Sequence, residues 1–107
     1  MIYLASPYSH ESNLVMEERF TAVCKKCSEM MFRREVVYSP IVHCHPIAVK
    51  YALPRSFDFW EKFDTEMIGL ASEVTVLMLP GWEESKGIKK EIELAKKLGK
   101  KVSYVGV

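Results

Sequence analysis

The chain has 107 residues, 49% hydrophobic and 27% charged, with 15 Lys and Arg against 14 Asp and Glu, for a formal net charge of +1. These figures suit one ordered domain spanning residues 1–107, with a real core but a small one that association into a homodimer or larger homo-oligomer would reinforce. They exclude a disordered chain and a global basic field for a nucleic acid polymer, and leave room for a local site that holds a small anion.

Residues 1–5 form a short apolar run ended by Ser6-Pro7, the pattern of a buried strand and a turn. Residues 11–34 are predicted as a long helix with Met16, Phe20, Val23, Cys27, Met30 and Met31 on its apolar stripe. Val36–Tyr38 reads as a second strand, closed by Ser39-Pro40. Three prolines make residues 40–56 an expected irregular stretch, with one helical turn near 46–51. A helix is predicted over 57–72, a strand over 74–79 ended by Pro80-Gly81, a helix over 85–98 with Gly99 as its stop, and a last strand over 101–105. Strands alternating with helices imply a three-layer Rossmann-like, or flavodoxin-like, α/β sandwich with a mainly parallel sheet of four to five strands. Ligands of such sheets bind at the carboxyl ends of the strands, here Ala5–Tyr8, Ser39–His45 and Pro80–Ser85.

No apolar run reaches the roughly 20 residues of a membrane span. The opening residues lack the basic flank of a signal sequence, and the odd set Cys24, Cys27 and Cys44 suits a reducing compartment. The expectation is a cytoplasmic protein with no membrane partner.

Two carboxylates fall where apolar residues belong. Glu91 lies three residues after Ile88, four before Ala95 and seven before Leu98, which puts it on the inward face of the last helix. Asp64 lies four after Trp60 and four before Ile68, within the stripe Trp60, Phe63, Met67, Ile68 and Ala71. An unpaired buried carboxylate costs several kcal/mol or shifts its pKa. Two acids in different environments can divide acid, base and nucleophile roles; the bland alternative is an edge residue bonded to an amide or a lysine.

Between the third strand and the last helix runs Gly81-Trp82-Glu83-Glu84-Ser85-Lys86-Gly87. Ser85 suits an N-cap, Gly87 admits close approach, and the free N–H groups of the first turn favour an anion, with Lys86 adding charge. The segment matches no P-loop or dinucleotide fingerprint, and a plain cap is the alternative reading. His43-Cys44-His45 could suggest metal, but further ligands at suitable spacing are missing, so no metal is expected. His43 or His45 lining a base pocket, or a plain loop role, is the better reading. Cys24-x-x-Cys27 lies inside a helix and reads as core. Tyr8 and Trp82 sit at strand ends, where a base could stack on them; Trp82 could instead cover an interface.

Tyr3-Leu4-Ala5-Ser6-Pro7-Tyr8 resembles the opening Tyr-Leu-Ala-Gly-Pro of nucleoside 2-deoxyribosyltransferases. Asp64, the strand over 74–79, Ser85-x-Gly87-x3-Glu91-x3-Ala95 and Gly99-Lys100-Lys101-Val102 resemble the second half of the same superfamily. The resemblance spans essentially the whole chain and is nearest to the small bacterial and phage members and the nucleoside 5′-monophosphate N-glycosidases. It implies Glu91 as the nucleophile at the anomeric carbon, Asp64 as the residue assisting proton transfer to the base, and Tyr3 as the residue that positions Glu91. It also implies a nucleotide or nucleoside as ligand, with Ser85 at its phosphate and no cofactor; with the strand ends and the helix start, this gives Ser6, Pro7, Tyr8, His43, His45, Gly81, Trp82, Ser85, Lys86 and Gly87 as the expected binding residues. Six residues before the glutamate, transferases of free nucleosides carry Asp, whereas the monophosphate hydrolases carry Ser, as Ser85 is here. The loop Ser6–His10 lacks the glycine-rich, arginine-bearing sequence of those hydrolases, leaving Arg19 or His10 for that phosphate contact. Base exchange by a transferase, and a nucleotide-binding module without turnover, are the alternatives.

Overall fold

Tyr3, Leu4 and Ala5 are wholly buried, because their strand lies inside the sheet with a neighbour on each side. In the computed structural model, which describes residues 1–107, this strand is β1 (Ile2–Ala5). It pairs in parallel with β2 (Val37–Tyr38) on one side and β3 (Glu73–Leu77) on the other, and β3 pairs in parallel with β4 (Lys101–Val105). The order β2-β1-β3-β4 is that of a Rossmann-like sandwich, with a four-stranded parallel sheet between helical layers.

The pleat sorts the strand residues between two cores. Tyr3, Ala5, Val74 and Val76 face Ile68 of α3 (Phe57–Leu70) and Ile88 and Ala95 of α4 (Lys86–Lys97). Leu4 and Leu77 face Val23, Cys27 and Met30 of α1 (Asn13–Phe32). Right-handed crossovers require this arrangement: the chain leaves β1 toward β2 over one face and returns toward β3 and β4 over the other.

Serines precede all four α-helices, and three of them cap through the side chain. The side chains of Ser12, Ser39 and Ser85 accept from the backbone N–H groups of Val15, Val42 and Ile88. Gly99, at φ 71°, takes the left-handed turn that ends α4.

The irregular stretch expected after β2 is instead a 12-residue helix, α2 (Pro40–Tyr51). Pro40 sits at the first helical position, where its missing N–H costs nothing, and Ser39 caps the turn. Pro46 does remove an internal bond, but Cys44, His45 and Ala48 are buried by the helix, and that packing prevails over local propensity. Three side chains expected on core stripes lie outside: Met31 is 55% exposed, Leu98 45% and Phe63 39%. No helix is long and apolar enough to cross a membrane.

Candidate active site

The sheet order reverses between β1 and β3: the connection from β1 leads to β2 on one side and that from β3 to β4 on the other, so a crevice opens between their carboxyl ends. A cavity of about 830 Å³ lies there, a volume suited to a nucleotide-sized ligand. Ser6 and Tyr8 reach it from the end of β1, Cys44 and His45 from α2, Asp64 from α3, and Gly81, Ser85, Lys86, Gly87 and Glu91 from the β3–α4 segment.

Glu91 is 5% exposed and Asp64 7%. The inward stripe of α4 and the pleat of β1 aim Glu91 and Tyr3 at each other, and the Tyr3 hydroxyl donates to Glu91 Oε2. Burial pushes the Glu91 carboxyl up to about 8, against the Tyr3 hydrogen bond and with the repulsion of Asp64 added. Burial likewise raises Asp64 to about 6, offset in part by the Tyr3 hydroxyl. Tyr3 itself is held well above the ordinary phenol range by burial and then by Glu91 and Asp64, so it remains a hydrogen donor. Two acids thus stand on one wall, with the phenol of Tyr3 beneath Glu91. Asp64 Oδ1 and Ser6 Oγ are buried there with no hydrogen-bond partner in the protein, which leaves both for a ligand to satisfy.

Ser85 caps α4 with its hydroxyl, and Gly87 leaves the backbone of the first turn uncovered toward the cavity. Lys86 and Lys90 add positive charge at this end; Lys90 lies 3.6 Å from Asp58. Such a helix start can hold an anion.

Arg19 of α1 ties the two loops of the crevice together. Its guanidinium donates to the carbonyls of Tyr8 at 3.2 Å, Ser9 at 3.1 Å and Pro80 at 3.4 Å. Gly81 faces it at φ 93°, and a Cβ there would stand 2.7 Å from Arg19 Nη2. Arg19 thus shapes both loops while lining the cavity, as does His10.

Four of the residues expected at the site do not line it. Tyr3 lies beneath Glu91, and Pro7 is buried under the loop. Trp82 packs on Tyr104, centroids 5.7 Å apart, outside the cavity. His43 is exposed and stacks on Phe63 at 5.7 Å. Because this segment is helical, residues two apart point to opposite sides, so His43 faces out and His45 in. Arg55, Phe57 and Trp60 also line the cavity, though none is among the residues expected at the site. Trp60, expected on the core stripe of its helix, instead donates its indole N–H to the Pro54 carbonyl at 2.8 Å and borders the cavity. Four aromatics ahead of an inward Asp are the signal in Phe57-Asp58-Phe59-Trp60-Glu61-Lys62-Phe63-Asp64. Burial, with Asp64 adding to it, raises the Cys44 thiol to about 11, which favours its protonated form.

Fold and site together define a Rossmann-like α/β domain with a buried carboxylate pair at the switch point of its sheet. Residues 1–107 match the model of the family described as a domain of unknown function, DUF1937, and the chain belongs to that family. No curated protein matches it.

Proposed function

We propose that this chain is an N-glycosidase that hydrolyses the base–sugar bond of a nucleoside 5′-monophosphate, with Glu91 as nucleophile. The observation that carries the reading is Glu91, bonded to Tyr3 beneath it, beside Asp64 with its Oδ1 unpartnered, both acids on the wall of a cavity that also meets the Ser85-capped start of α4. The resemblance to the nucleoside 2-deoxyribosyltransferase superfamily supports the same assignment of roles.

Cleavage of the bond from C1′ to the base nitrogen builds positive charge on the sugar. Glu91 captures that centre while the leaving nitrogen takes a proton from Asp64, and water then displaces the sugar from Glu91. The pair carries one proton between about pH 6 and about pH 8. A cationic sugar beside Glu91 favours its carboxylate, which leaves that proton on Asp64, where the departing base needs it. Tyr3 orients Glu91 through its hydrogen bond. The 5′-phosphate would rest on the N–H groups and hydroxyl at Ser85–Gly87, and this remote contact supplies energy for positioning.

Incubation with a panel of nucleoside monophosphates, with released base followed by chromatography, tests the reading. Release of base that disappears in a folded Glu91→Ala variant supports it. Exchange of bases on free nucleosides, with no hydrolysis of monophosphates, replaces it by a transferase. Tight binding without product at high protein concentration replaces it by a binding module, a reading that the divergent loop Ser6–His10 favours.

A further inference from the structure

His45 is 5% exposed, and nothing in the chemistry above uses it. Both of its ring nitrogens are engaged. Nε2 lies 2.8 Å from Glu17 Oε1, and Nδ1 is bonded to the Tyr8 hydroxyl. Phe20 lies against the ring, centroids 4.6 Å apart, and fixes its plane. The result is a chain Glu17–His45–Tyr8 drawn from α1, α2 and the loop after β1, ending in a phenol on the cavity wall.

The carboxylate fixes the direction of this chain. An ionised Glu17 has only lone pairs to offer, so Nε2 must carry the imidazole hydrogen. In the neutral ring Nδ1 then has a lone pair, and the Tyr8 hydroxyl is the donor. A phenol has one hydrogen. With that hydrogen committed to His45, the Tyr8 oxygen offers the cavity only its lone pairs. Burial, reinforced by Glu17 and Cys44 against the opposing Arg55, raises Tyr8, which keeps it a phenol.

We infer that Tyr8 is a specificity-determining residue that accepts a hydrogen bond from an N–H or O–H group of the ligand, and that His45 and Glu17 are positioning residues that hold it in that polarity. The donor is an amino group of the base or a hydroxyl of the sugar, so the ligand class rests on the nucleotide reading above, whereas the polarity of Tyr8 does not. A ligand lacking the donor leaves a desolvated acceptor unpaired, which costs affinity selectively.

Binding measured by calorimetry on the full chain carrying Glu91→Gln, which removes turnover, tests the inference. Three matched pairs isolate the donors: adenosine against purine riboside 5′-monophosphate, and adenosine against its 2′-deoxy and 3′-deoxy counterparts. One pair should differ by about tenfold in Kd, the size expected for one lost hydrogen bond. Adding Tyr8→Phe should reduce that difference below about twofold. A purely structural lesion would weaken both members of a pair alike. Adding His45→Asn instead, which keeps an acceptor near the Nδ1 position, should preserve discrimination, and His45→Leu should abolish it. Discrimination untouched by Tyr8→Phe overturns the inference. Nitrogen-15 NMR of the imidazole at pH 8 gives a second readout that needs no ligand: a neutral ring with hydrogen on Nε2 supports it. Hydrogen on Nδ1, alone or with Nε2, overturns it. If no nucleotide binds, the nucleotide reading falls and the NMR result still decides the polarity of Tyr8.

Discussion

Glu91 and Tyr3 lie 88 residues apart in sequence and meet as one hydrogen-bonded pair. For the proposed hydrolase, Glu91→Gln should lower kcat by about 10³-fold or more, the scale on which loss of a covalent nucleophile acts. Circular dichroism would show the fold kept. The logarithm of kcat/KM should follow a bell against pH, with limbs near the 6 and 8 of the carboxyl pair. The rising limb reports loss of the first proton from the pair, which frees a nucleophile. The falling limb reports loss of the second, which removes the acid.

The same shifts bear on stability with a definite sign. Both carboxyls are raised in the folded chain, so folding favours their protonated forms. Their stability is complete below the ordinary carboxylate range and is lost as pH rises through it toward about 8. Glu91→Gln should therefore be more stable than the native chain at pH 9. A gain of at least about 1 kcal/mol, or about 4–8 °C in Tm, is expected for a domain of this size. Thermal melts at pH 5 and pH 9 check this, since the gain should shrink at the lower pH.

At the scale of elements, the β3–α4 segment shows how local rules set the site. Gly81 at φ 93° and its closeness to Arg19 make Gly81→Ala costly. A loss of about 1–2 kcal/mol is expected from the left-handed conformation alone, read by denaturant unfolding. Ser85→Ala should cost about 1 kcal/mol through the lost cap, whereas Ser85→Gly should cost only a few tenths. If both variants nevertheless weaken nucleotide binding alike, the hydroxyl serves the ligand as well as the helix. Pro46 has no N–H to return to the Val42 carbonyl, so Pro46→Ala should stabilise α2 by about 1 kcal/mol in the same unfolding measurement, less than the full cost of an interior proline because the unfolded chain gains freedom. The α2 helix was illegible because its prolines read locally as breakers. Ser39-Pro40 reads locally as the close of a strand, and the burial of Cys44 and His45 that sustains the helix leaves no local mark.

At the scale of the whole molecule, the reversal of strand order between β1 and β3 gathers residues from every part of the chain around one cavity. Ligand binding there should stabilise the entire fold by mass action. For the Glu91→Gln variant at a nucleotide concentration 100 times Kd, the gain is about 2.7 kcal/mol, and the melting temperature measures it. Unchanged melting across the nucleotide panel would count against the site.

The sequence by itself determined the α/β class, the parallel sheet and the inward placement of Glu91 and Asp64. Each is a matter of local periodicity, and periodicity reports which face a residue occupies. The Ser85–Gly87 helix start was legible for the same reason, since a cap is a contact between near neighbours. Only the tertiary structure decided which inward residues meet. It put Tyr3 against Glu91, left Asp64 Oδ1 without a partner, and turned His45 toward Tyr8 while sending His43 and Trp82 away from the cavity. Those outcomes depend on strand order and helix crossing, which act between segments far apart in the chain and leave no mark on the spacing within either one.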